Sequence, residues 1–144
     1  MGYVEDNVLP NERVTYRAHL SRMLFVLPVF IAILGLALYY WSWMAGAAAL
    51  CVAAVIGAQR YIHYASSEFA VTDRRVIIKV GVLRRRTLEM QLTKIEAVAV
   101  DQGIMGRIFG YGDIAVTGTG GTNERFAGIG DPLAFRRAVQ VATG

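Results

Sequence analysis

Arg84, Arg85 and Arg86 stand consecutively beside a turn, and Arg74, Arg75, Lys79 and Lys94 lie close by in the chain. Guanidinium and ammonium groups gathered this way attract anions. Beside an anionic lipid leaflet each adds ~1 kcal/mol of attraction. Adjacent residues of a strand point to opposite faces, so neighbours such as Arg74 and Arg75 need not serve one ligand. The competing reading is a solvated face, or arginines pairing across a protomer boundary. Arg74, Arg75, Lys79, Arg84, Arg85 and Arg86 are therefore the candidate surface for a lipid or protein partner.

Other chemistries find less support. Gly118-Thr119-Gly120-Gly121-Thr122 lacks the Lys-Ser/Thr of a phosphate-binding loop and does not open a helix, and Gly110-Tyr111-Gly112 lacks the third glycine of a dinucleotide fingerprint. Both read as turns. The carboxylates Glu68, Asp73, Glu89, Glu96, Asp101, Asp113, Glu124 and Asp131 are scattered, often with Arg or Lys nearby, as on solvated sheet faces. Residues 66–144 hold no histidine, so no Ser there has an imidazole base for nucleophilic catalysis. Cys51 is alone in an apolar run, and His19 and His63 have no ligand partners beside them. The expectation is a non-enzyme without metal, cofactor or small-molecule substrate. The net charge of +4 at pH 7 could point to nucleic acid, but few aromatics are available for base stacking. Attraction to anionic head groups explains the charge more simply.

The elements that must position these residues begin with an uncharged stretch. No charged residue falls between Arg22 and Arg60, and the run divides around Tyr39-Tyr40-Trp41-Ser42-Trp43. Each half is close to the ~20 apolar residues that cross a ~30 Å hydrocarbon core. Mean hydropathy is +0.41, and the apolar excess sits almost wholly here. Ala45-Gly46-Ala47 resembles a signal-peptide cleavage site, but the run before it exceeds a typical signal core and a second run follows. The pattern predicts a transmembrane helical hairpin over residues 23–62, after an N-terminal cytoplasmic segment over 1–22. Pro28 is expected to kink the first helix.

In the second helix Ala45, Ala49, Ala53 and Gly57 recur every four residues and predict a small-residue ridge for close helix packing. That ridge can meet the first helix or a second protomer. Tyr39, Tyr40, Trp41 and Trp43 belong at a membrane–water interface, at the hairpin tip. Arg13, Arg17 and Arg22 precede the hairpin and Arg60 follows it, while the tip carries no Lys or Arg. The positive-inside rule then puts both ends in the cytoplasm and the protein in the cell (inner) membrane.

Downstream, runs rich in Val, Ile and Thr are broken by Gly, Asp and Asn. They predict strands near Ser67–Thr72, Arg75–Val80, Arg85–Leu92, Ile95–Asp101, Asp113–Thr119 and Glu124–Ile129. Leu88, Met90 and Leu92 alternate with Glu89 and Gln91, one face apolar and the other polar. Asp131 as N-cap and Pro132 at the first helical position open an amphipathic helix with Phe135, Ala138, Val139 and Ala142 on one face. Before the hairpin, Val14, Tyr16, Ala18 and Leu20 also alternate, a short signal for one extra strand.

The stretch Ser67-Glu68-Phe69-Ala70-Val71-Thr72-Asp73-Arg74-Arg75-Val76-Ile77 resembles the opening of the bacterial membrane-anchored PH-like domains, often called YdbS-like. Gly81 with Leu83, Leu92-Thr93-Lys94-Ile95-Glu96, Gly106-Arg107, Gly110-Tyr111-Gly112, the Gly118–Thr122 run and the closing Asp131-Pro132 helix with Phe135-Arg136 agree in order. The likeness covers residues 66–140 and implies an α+β membrane protein. In it, a two-helix hairpin precedes a bent barrel of about seven strands, a PH-like domain over 66–144 capped by a C-terminal helix. It implies no catalytic residue. The expected role is a protein-interaction and self-assembly module at the bilayer, as a homo-oligomer or with another membrane protein. The alternative role is binding of anionic head groups by the arginine turns.

Overall fold

The computed structural model describes residues 2–82 and 84–144, and the chain is α+β. Two antiparallel sheets carry the fold among these residues. The first is β1 (Val14–Ala18), β2 (Glu68–Thr72), β3 (Arg75–Val80) and β4 (Arg86–Gln91); the second is β5 (Ile95–Asp101), β6 (Tyr111–Gly118) and β7 (Thr122–Gly130). The helices are α1 (Tyr3–Asn7), α2 (Val26–Trp41), α3 (Trp43–Ala65), α4 (Ile104–Phe109) and α5 (Pro132–Thr143). Phe69, Val76, Ile78, Ile114, Phe126 and Ile129 meet in a buried core between the sheets.

The short alternation before the hairpin is a strand of the domain. β1 pairs antiparallel with β2, with Ala18 opposite Phe69 and Arg17 opposite Ala70. The helices α2 and α3 are thus inserted between two neighbouring strands, where a tight turn would otherwise sit. The strand before the hairpin, with its buried Ala18, therefore packs with the sheet formed by the chain after residue 66. Past β1 the chain crosses to the second sheet. Leu20 bridges Ile129, the Ser21 N–H donates to the Gly128 carbonyl at 2.8 Å, and the Gly130 N–H donates to that of His19 at 2.9 Å. These bonds join the two sheets along that edge. On the other side β4 and β5 each pair with one strand only, joined by a 3-10 turn at Leu92–Lys94.

The helix α5 begins where its cap predicts. Asp131 takes a left-handed backbone (φ 52°) and accepts the Ala134 N–H at 3.2 Å, with Pro132 following. Phe135 and Val139 are buried, and Ala138 and Ala142 pack at their side. Two short helices had no sequence expectation. α1 lies over the first sheet, where Val4 joins Ala70 and Ile77 in a second small core. α4 fills the β5–β6 connection. The strand limits differ slightly: β4 ends at Gln91, and β6 starts at Tyr111 because that residue still pairs with Gly130.

Two helical stretches are long and apolar enough to cross a membrane, Arg22–Trp41 with 20 residues and Trp43–Ala65 with 23, and only 11% of each apolar window is buried. Pro28 has no N–H for the Leu24 carbonyl, and the turn before it, Arg22–Phe25, winds as 3-10. The two helices pack against each other along small residues. A methyl group on Gly35 would press on Ala49 and Leu50, one on Gly57 would reach Pro28, and one on Gly46 would collide with the Tyr39 backbone.

Candidate functional site

Strand geometry divides the six basic candidates into two groups. β3 runs from Arg75 to Val80, so its ends lie roughly 17 Å apart at ~3.3 Å per residue. Val80, Gly81, Val82, Arg84 and Arg86 line a groove of about 490 Å³ together with Gln59, Ile62 and His63, near the end of α3. Arg84 and Arg85 are exposed. Arg74 and Arg75 sit at the far end, in a groove with Leu9, Glu12, Thr93 and Ala142. The structure does not bring the two pairs together.

Arg75 is not available to a ligand. Its Nε and Nη2 donate to the two oxygens of Glu12, both at 3.0 Å, its Nη1 donates to Glu89 at 2.8 Å, and Nη2 also reaches the Asn7 carbonyl at 2.7 Å. Glu12 is buried, and its carboxylate also accepts the Thr72 hydroxyl at 2.6 Å and the Leu9 N–H at 3.1 Å. Burial pushes the Glu12 carboxyl up, but the Arg75 guanidinium, the Thr72 hydroxyl and the Leu9 amide outweigh it and hold it down to about 2. These contacts strap residues 2–12 across the outer face of the first sheet. Lys79 lies on that face too, its ammonium 4.6 Å from the centre of the Tyr3 ring. Arg75 and Lys79 are thus engaged by the strap, whereas Arg74 stays exposed at the far end of the strand, away from Arg84–Arg86.

Arg86 has a bracing role as well. It pairs with Glu124 at 2.7 Å and lies 5.9 Å over the Phe126 ring, tying the start of β4 to β7. Neither Arg84 nor Arg85 has an ion pair among the described residues. Sequence reasoning missed Glu12, Tyr3 and Glu124, whose partners lie far off in the chain.

The ridge residues divide as well. Ala49, Ala53 and Gly57 face α2, with Ala53 buried, whereas Ala45 is exposed and Gly46 takes the seam position. The ridge therefore packs within the hairpin. Tyr39, Tyr40, Trp41 and Trp43 are all exposed around Ser42, whose extended backbone (φ −147°, ψ 114°) separates α2 from α3. Among the described residues no three His, Cys, Asp or Glu side chains gather to hold a metal.

Two packed antiparallel sheets with a terminal helix across them define a PH-like domain. A family model described as "Bacterial PH domain" matches residues 22–142, and the chain belongs to that family. The match takes in the apolar hairpin and starts just after β1. No curated protein and no solved structure matches the chain.

Proposed function

We propose that this chain is a non-enzymatic, membrane-anchored PH-like module, of the YdbS-like kind, whose arginine turn works against anionic lipid head groups. The observation that carries this reading is the shared groove of Arg84 and Arg86 with Gln59, Ile62 and His63 at the foot of α3. If α2 and α3 cross the bilayer, that foot lies at head-group level. The insertion of the hairpin between antiparallel neighbours β1 and β2 favours an even number of crossings with both ends on one side. The arginines before and after it favour the cytoplasmic side, and the exposed aromatic tip suits the opposite interface.

In nanodiscs of phosphatidylglycerol the backbone amides of residues 80–86 are expected to exchange more slowly than in phosphatidylcholine. Salt should erase the difference as it shortens the Debye length. Arg84→Glu with Arg85→Glu should abolish it, while Arg86 is left to brace β4. Equal exchange in both lipids would end this reading.

Self-assembly remains the second reading, on a changed basis. The small-residue ridge is used within the hairpin, but β4 and β5 each leave one edge unpaired, and an open edge accepts another strand. The protein extracted into native nanodiscs is then expected to show a discrete multimeric mass. A strict monomer across concentrations would dispose of the idea.

A further inference from the structure

We propose that α4 is an interfacial membrane anchor, with Ile104, Met105, Ile108 and Phe109 seated among the head groups and upper acyl chains beside α2. The inference rests on the reading of α2 and α3 as membrane spans.

α4 is built rigidly. Gly106 is buried, and a methyl group there would run into the Tyr111 carbonyl. The Gln102 side-chain amide donates to the carbonyls of Gly106 at 3.3 Å and Tyr111 at 3.0 Å. Gly110 ends the helix in the left-handed region (φ 71°), and its N–H returns to the Gly106 carbonyl. Yet this fixed element displays Ile104 at 81% exposure, Met105 at 53%, Ile108 at 67% and Phe109 at 51%. So dense an apolar display marks an interaction surface.

Its position says what covers it. Phe109 and Gly110 line one groove with Leu20, Arg22, Met23 and Tyr64, where the chain enters the hairpin. The next residue, Tyr111, lines a second groove with Met23, Val26, Leu27 and Phe30. The apolar surface of α4 therefore continues onto the outward face of α2, and lipid covers both at once. A second protein copy docked on α4 would still leave Val26, Leu27 and Phe30 to be covered. Arg107 is exposed on α4 itself, and Arg22 lies at the same level. Apolar residues below and cations among the phosphates are the combination by which interfacial helices bind. The arginine turn sits by α3 and α4 sits by α2, so the domain meets the bilayer at two places and its orientation is fixed.

The test uses the full chain with Cys51→Ala, so that one introduced cysteine carries a nitroxide. Ile108→Cys, Phe30→Cys and Asn123→Cys are reconstituted separately into vesicles of phosphatidylethanolamine and phosphatidylglycerol. At position 108, collisions with oxygen are expected to exceed those with a water-soluble nickel complex several-fold, and at 123 the order should reverse. If 108 behaves like 123 while 30 reads lipid, the anchor is overturned and the hairpin reading stands. If 108 is shielded from both probes, a protein covers α4 and the lipid assignment is overturned. If 30 also reads water, the membrane reading fails and the anchor with it.

Discussion

Glu12→Ala is expected to destabilise the domain by about 3–5 kcal/mol, because it leaves the Arg75 charge without its principal partner under the N-terminal strap. Glu12 and Arg75 meet through two hydrogen bonds of 3.0 Å, and the Glu12 side chain is wholly inaccessible to solvent. Glu89 remains, but it is partly exposed and holds only one nitrogen. The strap is then free to leave Ala70 and Ile77, which it covers. A thermal melt of the full protein in detergent should show the midpoint falling by more than about 10 °C. Replacing both partners by apolar residues, Glu12→Leu with Arg75→Met, should recover much of the loss. A loss under about 1 kcal/mol for Glu12→Ala would reduce the pair to the rank of a surface bridge.

The same pair sets an acid dependence with a definite sign. Folding lowers the Glu12 carboxyl from 4.5 to about 2, so its contribution is complete above the ordinary carboxylate value. It is lost as pH falls from there through about 2, while Arg75 stays charged throughout. Glu12→Gln should therefore lie well below the parent at neutral pH and converge with it in acid. A gap that widened on acidification would contradict this sign.

Much of the fold was legible because its signals are local. The uncharged run, the two-residue alternation of β4 and the Asp-Pro opening of α5 need no distant partner. The ridge was legible only in part. A helix turns 100° per residue, so each four-residue step overshoots by about 40° and three steps drift by about 120°. Ala49, Ala53 and Gly57 remain on the seam, while Ala45 rotates off it and Gly46 takes its place.

The basic site was less legible for two reasons. Arg75 and Lys79 are two alternations apart on one strand face, where each meets a partner supplied by the N-terminal strap. Glu12 is 63 residues from Arg75, a separation that no window of sequence detects. α4 escaped notice because six residues show no periodicity, and Gly110, which caps it, read as part of a turn.

Phe135→Ala should match or exceed the loss at Glu12, about 3–5 kcal/mol, since it empties the junction that holds the two sheets together. Phe135 is completely buried, and its ring meets Tyr16 edge to face at 6.4 Å and 67°. α5 packs on β1 and β2 of one sheet and on β5 and β6 of the other. Among the described residues no strand pairing joins β4 to β5, so this helix is the main brace on the open side. Tyr16 belongs to the strand that leads into the hairpin, and the damage should spread in that direction. Amides of β1 are expected to lose protection first, followed by the contact of Leu20 with Ile129. Phe135→Leu fills much of the space and should cost under about 1.5 kcal/mol. If Phe135→Ala cost less than that, or if β1 kept its protection, α5 would be a cover rather than the brace. The hairpin base would then owe its alignment to the backbone bonds that join residues 19–21 to 128–130.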